Sequence, residues 1–310
     1  MKKWIIALLL GILMIVIFIY VFIPNKIDFR EAAGVRATSA AVHRLLLNKN
    51  NVSAWWPGKT SNDSLYLDGF SYEINDGNIT VVSVSMNGKN TRLTSSLFIT
   101  EISVDSTQLQ WVGMLNATYH PVKRLYAYLD SKKISRNMTT ILQKMEQFYS
   151  TPKNIYGIEI KQTLVVDSLL ISTDASTNGY PTNEIIYGLV NKLRSYAATR
   201  GAKQQGYPML NVITSDSLVF TIKVAIPTNI ALPSSGDILY KKMPGRTIIL
   251  VARVKGGVGT TTLALEQMSL YANDHNLKVP AIPFYSLVTD RLQQPDSSNW
   301  ITDIYFPASL

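Results

Sequence analysis

The side chains able to do chemistry in this chain are few and far apart. Its three histidines, His43, His120 and His275, fall in different predicted elements, so their spacing builds neither a zinc site nor a Ser-His-Asp triad. The chain has no cysteine, which removes thiolate catalysis, disulfides and cysteine-based zinc sites. The segment VKGGVGTTTL (254–263) follows an apolar strand and opens a helix, as phosphate-binding loops do. The lysine that should contact the terminal phosphates is Thr260 instead, and glycines 256, 257 and 259 are equally expected where a strand passes into a helix. No cofactor or metal is expected, and catalysis finds no obvious pair of residues.

The elements that would position such side chains come from an internal repeat in residues 155–310. GYPMLNVITSD (206–216) lies against AIPFYSLVTDR (281–291), aligning Pro208 with Pro283, Val212 with Leu287, Ile213 with Val288 and Thr214 with Thr289. Each is followed by a strand running to a proline, FTIKVAIPT (220–228) and ITDIYFPAS (301–309). Before them, SLLISTDAS and TIILVARVKG read as strands, leading into helices over 182–200 and 260–273. Each repeat is thus strand, helix, strand, strand, with about 75–80 residues between equivalent positions. Two such units side by side would join into one antiparallel sheet with both helices on one face and a groove on the pseudo-twofold axis.

The first half reads differently. Residues 39–47 form a short apolar-sided helix, followed by NKNNVS and Trp55-Trp56-Pro57. From Ser64 to about Tyr128 the pattern alternates, with turn signals such as NDG and NGKN, and predicts an antiparallel meander. From Asp130 to Ser150 the spacing is helical, with Ile134, Met138, Ile141, Leu142, Met145 and Phe148 on one stripe. The Trp pair reads as packing of the short helix against the sheet, the alternative being a border of the first domain's cavity. Thr151-Pro152-Lys153-Asn154 breaks the chain between the halves.

Ahead of both lies WIIALLLGILMIVIFIYVFI, twenty uncharged residues that as a helix span about 30 Å of hydrocarbon. Signal-sequence apolar cores are shorter, about 7–15 residues, and end in a small-x-small site, whereas this run ends in Phe22, Ile23 and Pro24. A retained transmembrane helix over residues 4–23 is expected, with the N-terminus inside and the body outside. The net charge of +9 comes from scattered residues, Lys132, Lys133 and Arg136 being the nearest thing to a cluster. Such basicity beside a membrane fits anionic headgroups better than nucleic acid, and no direct nucleic-acid binding is expected.

Two resemblances follow. Residues 25–150, by the order short helix, Trp-Trp-Pro, antiparallel strands and long helix, resemble the START-like or SRPBCC (polyketide cyclase-like) superfamily. That superfamily's helix-grip fold encloses a hydrophobic cavity. Residues 155–310 resemble the GyrI-like small-molecule-binding domain, the effector-binding domain of bacterial transcription activators. The pieces that carry this likeness are Gly201 to Pro208, AIPT, the strand before Gly256-Gly257, Pro283 to Asp290 and the terminal TDIYFPA. The fold class implied is α+β: a transmembrane helix, a helix-grip domain, then a duplicated β-α-β-β domain. With the anchor, the expected location is a bacterial inner membrane; the likeness implies an aromatic-lined cleft for planar or amphipathic, often cationic, compounds. Many members carry a glutamate where this chain has Tyr285, so binding survives more easily than catalysis.

A tyrosine there offers a ring face for cation–π contact and a hydroxyl for hydrogen bonding. Strand alternation puts Tyr285 with Leu287, and Tyr305 with Asp303. The expected ligand-binding residues are Tyr285 and Tyr305 in the groove, with Trp300, Tyr187 and Asn211, the repeat partner of Ser286, behind them. The expected function is a membrane-anchored binding protein, acting as sensor, sequestering protein or carrier for a hydrophobic or amphipathic small molecule. The absence of a helix-turn-helix pattern argues against direct transcriptional activity. The alternative is a hydrolase using the same groove, which would need Glu184 or Glu266 to reach it. A purely structural membrane protein is the third reading.

Overall fold

The computed structural model describes every residue except Met1, Asn62, Asp63, Asn90, Asp167, Ser217, Pro244, Arg246 and Leu310, so the last residue of the NGKN turn lies outside the described residues. The chain divides into two compact units, residues 1–155 and 156–310. The structure is mixed α+β, with one antiparallel sheet in each unit.

The first unit opens with α1 (Lys2–Phe22). Its segment Lys3–Phe22 has a mean hydropathy of 3.2 and is long and apolar enough to cross a membrane, a property it shares with signal sequences. A seven-stranded sheet follows, in the order β1-β7-β6-β5-β4-β3-β2. Its strands are β1 (Lys26–Val35), β2 (Lys59–Ser61), β3 (Ser64–Leu67), β4 (Phe70–Ile74), β5 (Val81–Asn87), β6 (Arg92–Ser103) and β7 (Ser106–Asn116). Alternation decides which face is buried: in β5 Val82, Val84 and Met86 are covered while their neighbours are not. Asp68 and Gly69 turn β3 into β4 with φ of 46° and 83°, the left-handed pair that a two-residue hairpin requires.

Two helices cover the buried face, α2 (Ser39–Leu47), capped by the Thr38 hydroxyl on the Ala41 amide, and α3 (Pro121–Tyr149). The later part of α3 buries Ile134, Met138, Ile141, Leu142, Met145 and Tyr149. The helix begins at Pro121, well before the start near Asp130 that its stripe predicts. In those first turns the apolar residues do not lie on the core side, so their spacing is out of phase with the stripe that marks the rest of the helix. Trp56, Tyr72 and Trp111 form an edge-to-face chain in the core. The Tyr72 hydroxyl accepts from Asn137 at 2.9 Å, and Trp56 donates to the Tyr66 carbonyl at 3.2 Å. The tryptophan pair therefore packs. A cavity of about 240 Å³ opens beside α2, lined by Leu46, Leu65 and Ile74 with Lys49 and Glu73.

A short helix, α4 (Pro152–Tyr156), leads into the second unit. Its strands are β8 (Lys161–Leu164), β9 (Ser168–Asn178), β10 (Met209–Asp216), β11 (Val219–Thr228), β12 (Leu239–Met243), β13 (Ile248–Lys255), β14 (Phe284–Leu287) and β15 (Ile301–Pro307). Helix α5 (Asn183–Thr199) follows β9, and α6 (Val258–Asp274) follows β13. The sheet order is β12-β9-β11-β10-β14-β15-β13-β8. Strand, helix, strand, strand thus occurs twice, and the two sets meet where β10 pairs with β14. The flanking strands β8 and β12 have no place in the repeat seen in the sequence.

Helix α5 buries Ile186, Val190 and Leu193 against Leu210, Ile222 and Leu287. Helix α6 buries Ala264, Met268 and Ala272 against Leu250, Ala252 and Ile304. Leu210 pairs with Tyr285 and Tyr285 with Ile304. Directly paired residues share a face, so both helices lie on one face of the sheet. Among the described elements of this unit no helix packs on the other face, the open one.

Candidate functional site

Tyr285 stands at the seam between the two halves of the second unit. Its ring packs against both helix cores and is only partly buried. Beneath it the segment after β14 folds back onto α5. The buried Tyr187 hydroxyl accepts from the Arg291 amide at 3.0 Å and donates to the Thr289 carbonyl at 3.3 Å. The Arg291 side chain is carried inward, 5% exposed, donating to the Thr302 hydroxyl at 3.2 Å and lying 4.6 Å over the Trp300 ring. Trp300 is fixed in turn by its indole N–H on the Gln294 carbonyl at 2.7 Å.

Among the described residues no salt bridge joins Arg291 to a carboxylate. Burial lowers the guanidinium's pKa, and the hydroxyls of Tyr180, Tyr187 and Tyr285 oppose that shift. Burial raises the Tyr285 phenol in turn; Tyr180 adds to the rise and Arg291 counters it. The seam is an aromatic cluster around one cation, with phenolic hydroxyls and guanidinium N–H groups as its polar equipment.

The five expected ligand residues divide between the two faces of the sheet. Tyr285, Tyr187 and Trp300 are on the helix side. Tyr305 is on the open face, stacked on Phe284 with ring centroids 5.0 Å apart and planes at 4°. Asn211, next to Leu210 in β10, shares that open face, where its amide nitrogen donates to the Pro283 carbonyl at 2.8 Å. The expectation that Tyr285 and Tyr305 line one groove is therefore corrected. Alternation sorts residues within a strand, but the register Phe284↔Tyr305 and Tyr285↔Ile304 relates the two strands, and neither strand's own pattern contains it.

The open face has cavities of its own. One of about 390 Å³ is lined by Tyr207, Met209, Met243, Ile249, Phe284 and Tyr305. Another, of about 240 Å³, shares Met209, Met243 and Phe284 with it and adds Leu170, Asn211 and Lys223. The Asn211 side-chain oxygen is buried without a hydrogen-bond partner among the described residues. At the edge of this face Arg253 and Asp303 form a two-pronged ion pair at 2.6 and 2.8 Å.

Arg291 was not foreseen from the sequence. A single arginine in a polar loop carries no periodic signal, and its inward course depends on the Tyr187 contact across the unit. Glu184 lies in the first turn of α5, fully exposed, where the Thr182 hydroxyl lowers its carboxyl pKa. Glu266 is exposed, two residues from the buried Ala264 and Met268 of α6. Neither acid is in the seam. In the glycine-rich turn, Gly256 has φ 145° and a Cβ there would come within 2.3 Å of the Thr260 hydroxyl. The Thr261 and Thr262 hydroxyls donate to the Val258 carbonyl, so this turn serves the strand-to-helix passage. His275 stacks on Tyr271 and His43 lies 3.4 Å from the Gly77 carbonyl; among the described residues no cluster of three metal-ligating side chains occurs.

No protein-family model matches the chain, and no curated protein does. Among solved structures the chain is similar to EcmrR in its DNA complex, with 15% identity and a TM-score of 0.45 over 62% of this chain and 72% of that one. It is similar to a hydrolase from Listeria innocua, with 9% identity and a TM-score of 0.39 over 54% of this chain and 98% of that one. It is also similar to SAV2435 bound to tetraphenylphosphonium, with 15% identity and a TM-score of 0.33 over 49% of this chain and 94% of that one.

Proposed function

We propose that this chain is a membrane-anchored small-molecule-binding protein: α1 retained as a single span, residues 25–150 a START-like domain, and residues 155–310 a duplicated GyrI-like domain that holds the ligand. The ligand is a planar or amphipathic compound seated over Tyr285, between α5 and α6. The observation that carries this reading is the partly exposed Tyr285 at the seam, backed by Tyr187, Trp300 and a buried guanidinium with no carboxylate paired to it among the described residues. That guanidinium favours a neutral or anionic ligand over a cation, because a second buried positive charge would be repelled where little water screens it. Binding is preferred over hydrolysis because both glutamates that could act as acid or base are exposed away from the seam. The periplasmic side is the proposed location of both domains.

A second location on the same unit is favoured by a different observation: the joined apolar cavities of the open face and the unpartnered oxygen of Asn211. One experiment separates the two. Ligand-induced thermal stabilisation of the full chain in nanodiscs is measured with matched naphthyl compounds bearing a carboxylate, no charge or an ammonium, for wild type, Tyr285→Ala and Tyr305→Ala. Stabilisation abolished only by Tyr285→Ala supports the seam. Loss only in Tyr305→Ala moves the site to the open face, and no stabilisation by any compound refutes small-molecule binding of this kind.

A further inference from the structure

The first turns of α3 project apolar side chains that nothing in their unit covers. Tyr119, just before the helix, is 85% exposed, and Val122, Leu125, Tyr126 and Leu129 are each between 39% and 52% exposed. Their spacing is i, i+3, i+4, i+7, which puts the four helical residues on one stripe. In the same stretch the buried residue is Arg124, a charged one.

Arg124 locks this end of α3 to α1. Its guanidinium donates through Nε to the Ile23 carbonyl at 2.8 Å and again through Nη2, satisfying an acceptor at the end of α1 that the helix itself cannot. It also lies 4.9 Å over the Tyr20 ring, and the Tyr20 hydroxyl donates to the Tyr119 carbonyl. These contacts hold the start of α3 level with the last turn of α1. If Lys3–Phe22 spans a bilayer, that level is the edge of the hydrocarbon, and lipid lies around α1 wherever α3 does not cover it.

We infer that the first turns of α3 form an interfacial membrane contact, with the Tyr119–Leu129 stripe seated among headgroups and upper acyl chains beside the exit of α1. Tyrosines at both ends of the first turns suit the aromatic belt of that zone. Lys123, Lys132, Lys133 and Arg136 are exposed along the same helix and supply positive charge for anionic lipid. The stripe explains why the start of α3 keeps its apolar side uncovered. It also fixes the attitude of the first unit on the membrane, as a second point of attachment.

The inference rests on α1 being a retained span, and the test separates the two. Because the chain has no cysteine, single spin labels can be placed at Ile12→Cys, Val122→Cys, Tyr126→Cys and Val104→Cys in the full chain in nanodiscs containing anionic lipid. Val104 is a matched control, 51% exposed and apolar, at the β6–β7 turn. The register from Lys26↔Asn116 to Val35↔Thr107 puts that turn about 30 Å along β1 from the exit of α1. Collision with oxygen, which concentrates in hydrocarbon, and with a water-soluble nickel chelate then reports depth. The inference expects the label at 12 deep, those at 122 and 126 oxygen-rich and shielded from nickel, and that at 104 open to nickel. Labels at 122 and 126 as open to nickel as 104, with 12 deep, overturn the inference and leave the anchor. Shielding from both reagents with dipolar broadening would overturn it in favour of a second copy, and a label at 12 outside the hydrocarbon removes the anchor with it.

Discussion

Replacing Arg291 with methionine keeps an unbranched side chain of similar reach and removes the charge. The substitution loses the hydrogen bond to Thr302, which from a charged donor is worth about 1.5–3 kcal/mol, and the contact with Trp300, worth about 0.5–2 kcal/mol. It also removes an ion whose burial costs several kcal/mol when no carboxylate is paired with it. These contributions oppose each other, so Arg291→Met is expected to leave the stability of the second unit within about 2 kcal/mol of wild type. The assay is urea unfolding of the full chain in mild detergent, followed by fluorine NMR of 5-fluorotryptophan. Trp300 is the tryptophan of the second unit, so its resonance reports that unit apart from the first. A loss of about 3–5 kcal/mol is the signature of a broken buried ion pair and would refute the picture of an arginine with no acid partner among the described residues.

Tyr72 offers a pH test in the first unit. Burial outweighs the hydrogen bond from Asn137 and pushes its phenol from 10.0 up to about 12. A pKa raised on folding means that the unfolded chain releases the proton first, so this contribution is whole below pH 10 and is lost between pH 10 and about 12. Tyr72→Phe should reduce the fall in unfolding free energy from urea titrations over that range by about 2–3 kcal/mol; an unchanged fall would show that Tyr72 titrates normally. Gly58 is tested sterically, since a Cβ there would lie 1.8 Å from the Tyr66 carbonyl oxygen, a backbone atom with little room to yield. Gly58→Ala should cost about 1–3 kcal/mol or more, while Gly34→Ala, with nothing within 4 Å, should cost less than about 1; equal effects in urea unfolding would contradict the packing of β3 on this glycine.

What the sequence reveals and what it hides divide along physical lines. The alternation of β5 and the stripe from Ile134 to Met145 are one-dimensional signals, because burial on one side of an element repeats with that element's own period. The repeat is visible for the same reason: its turns and strand ends recur at a fixed distance along the chain. The start of α3 is hidden because its apolar stripe follows no core and runs out of phase with the one behind it, Arg124 taking the buried side there. The site is half hidden for a different reason. Each strand's faces can be assigned separately, yet whether Tyr285 and Tyr305 share a face depends on the pairing of β14 with β15. Arg291 lies further still from any local pattern, placed by a hydrogen bond to Tyr187 more than a hundred residues earlier.

The fluorine resonance of Trp300 also tests the central claim most directly, because its ring lies against Arg291 at the floor of the seam. Titration of the full chain with 2-naphthoate is predicted to move that resonance saturably in wild type, and much less in Tyr285→Ala. The matched naphthyl ammonium should bind more weakly, and in Arg291→Met the order of the two should narrow or reverse. A Trp300 resonance indifferent to both compounds, or one that responds equally in Tyr285→Ala, would contradict a ligand site at the seam between the two halves.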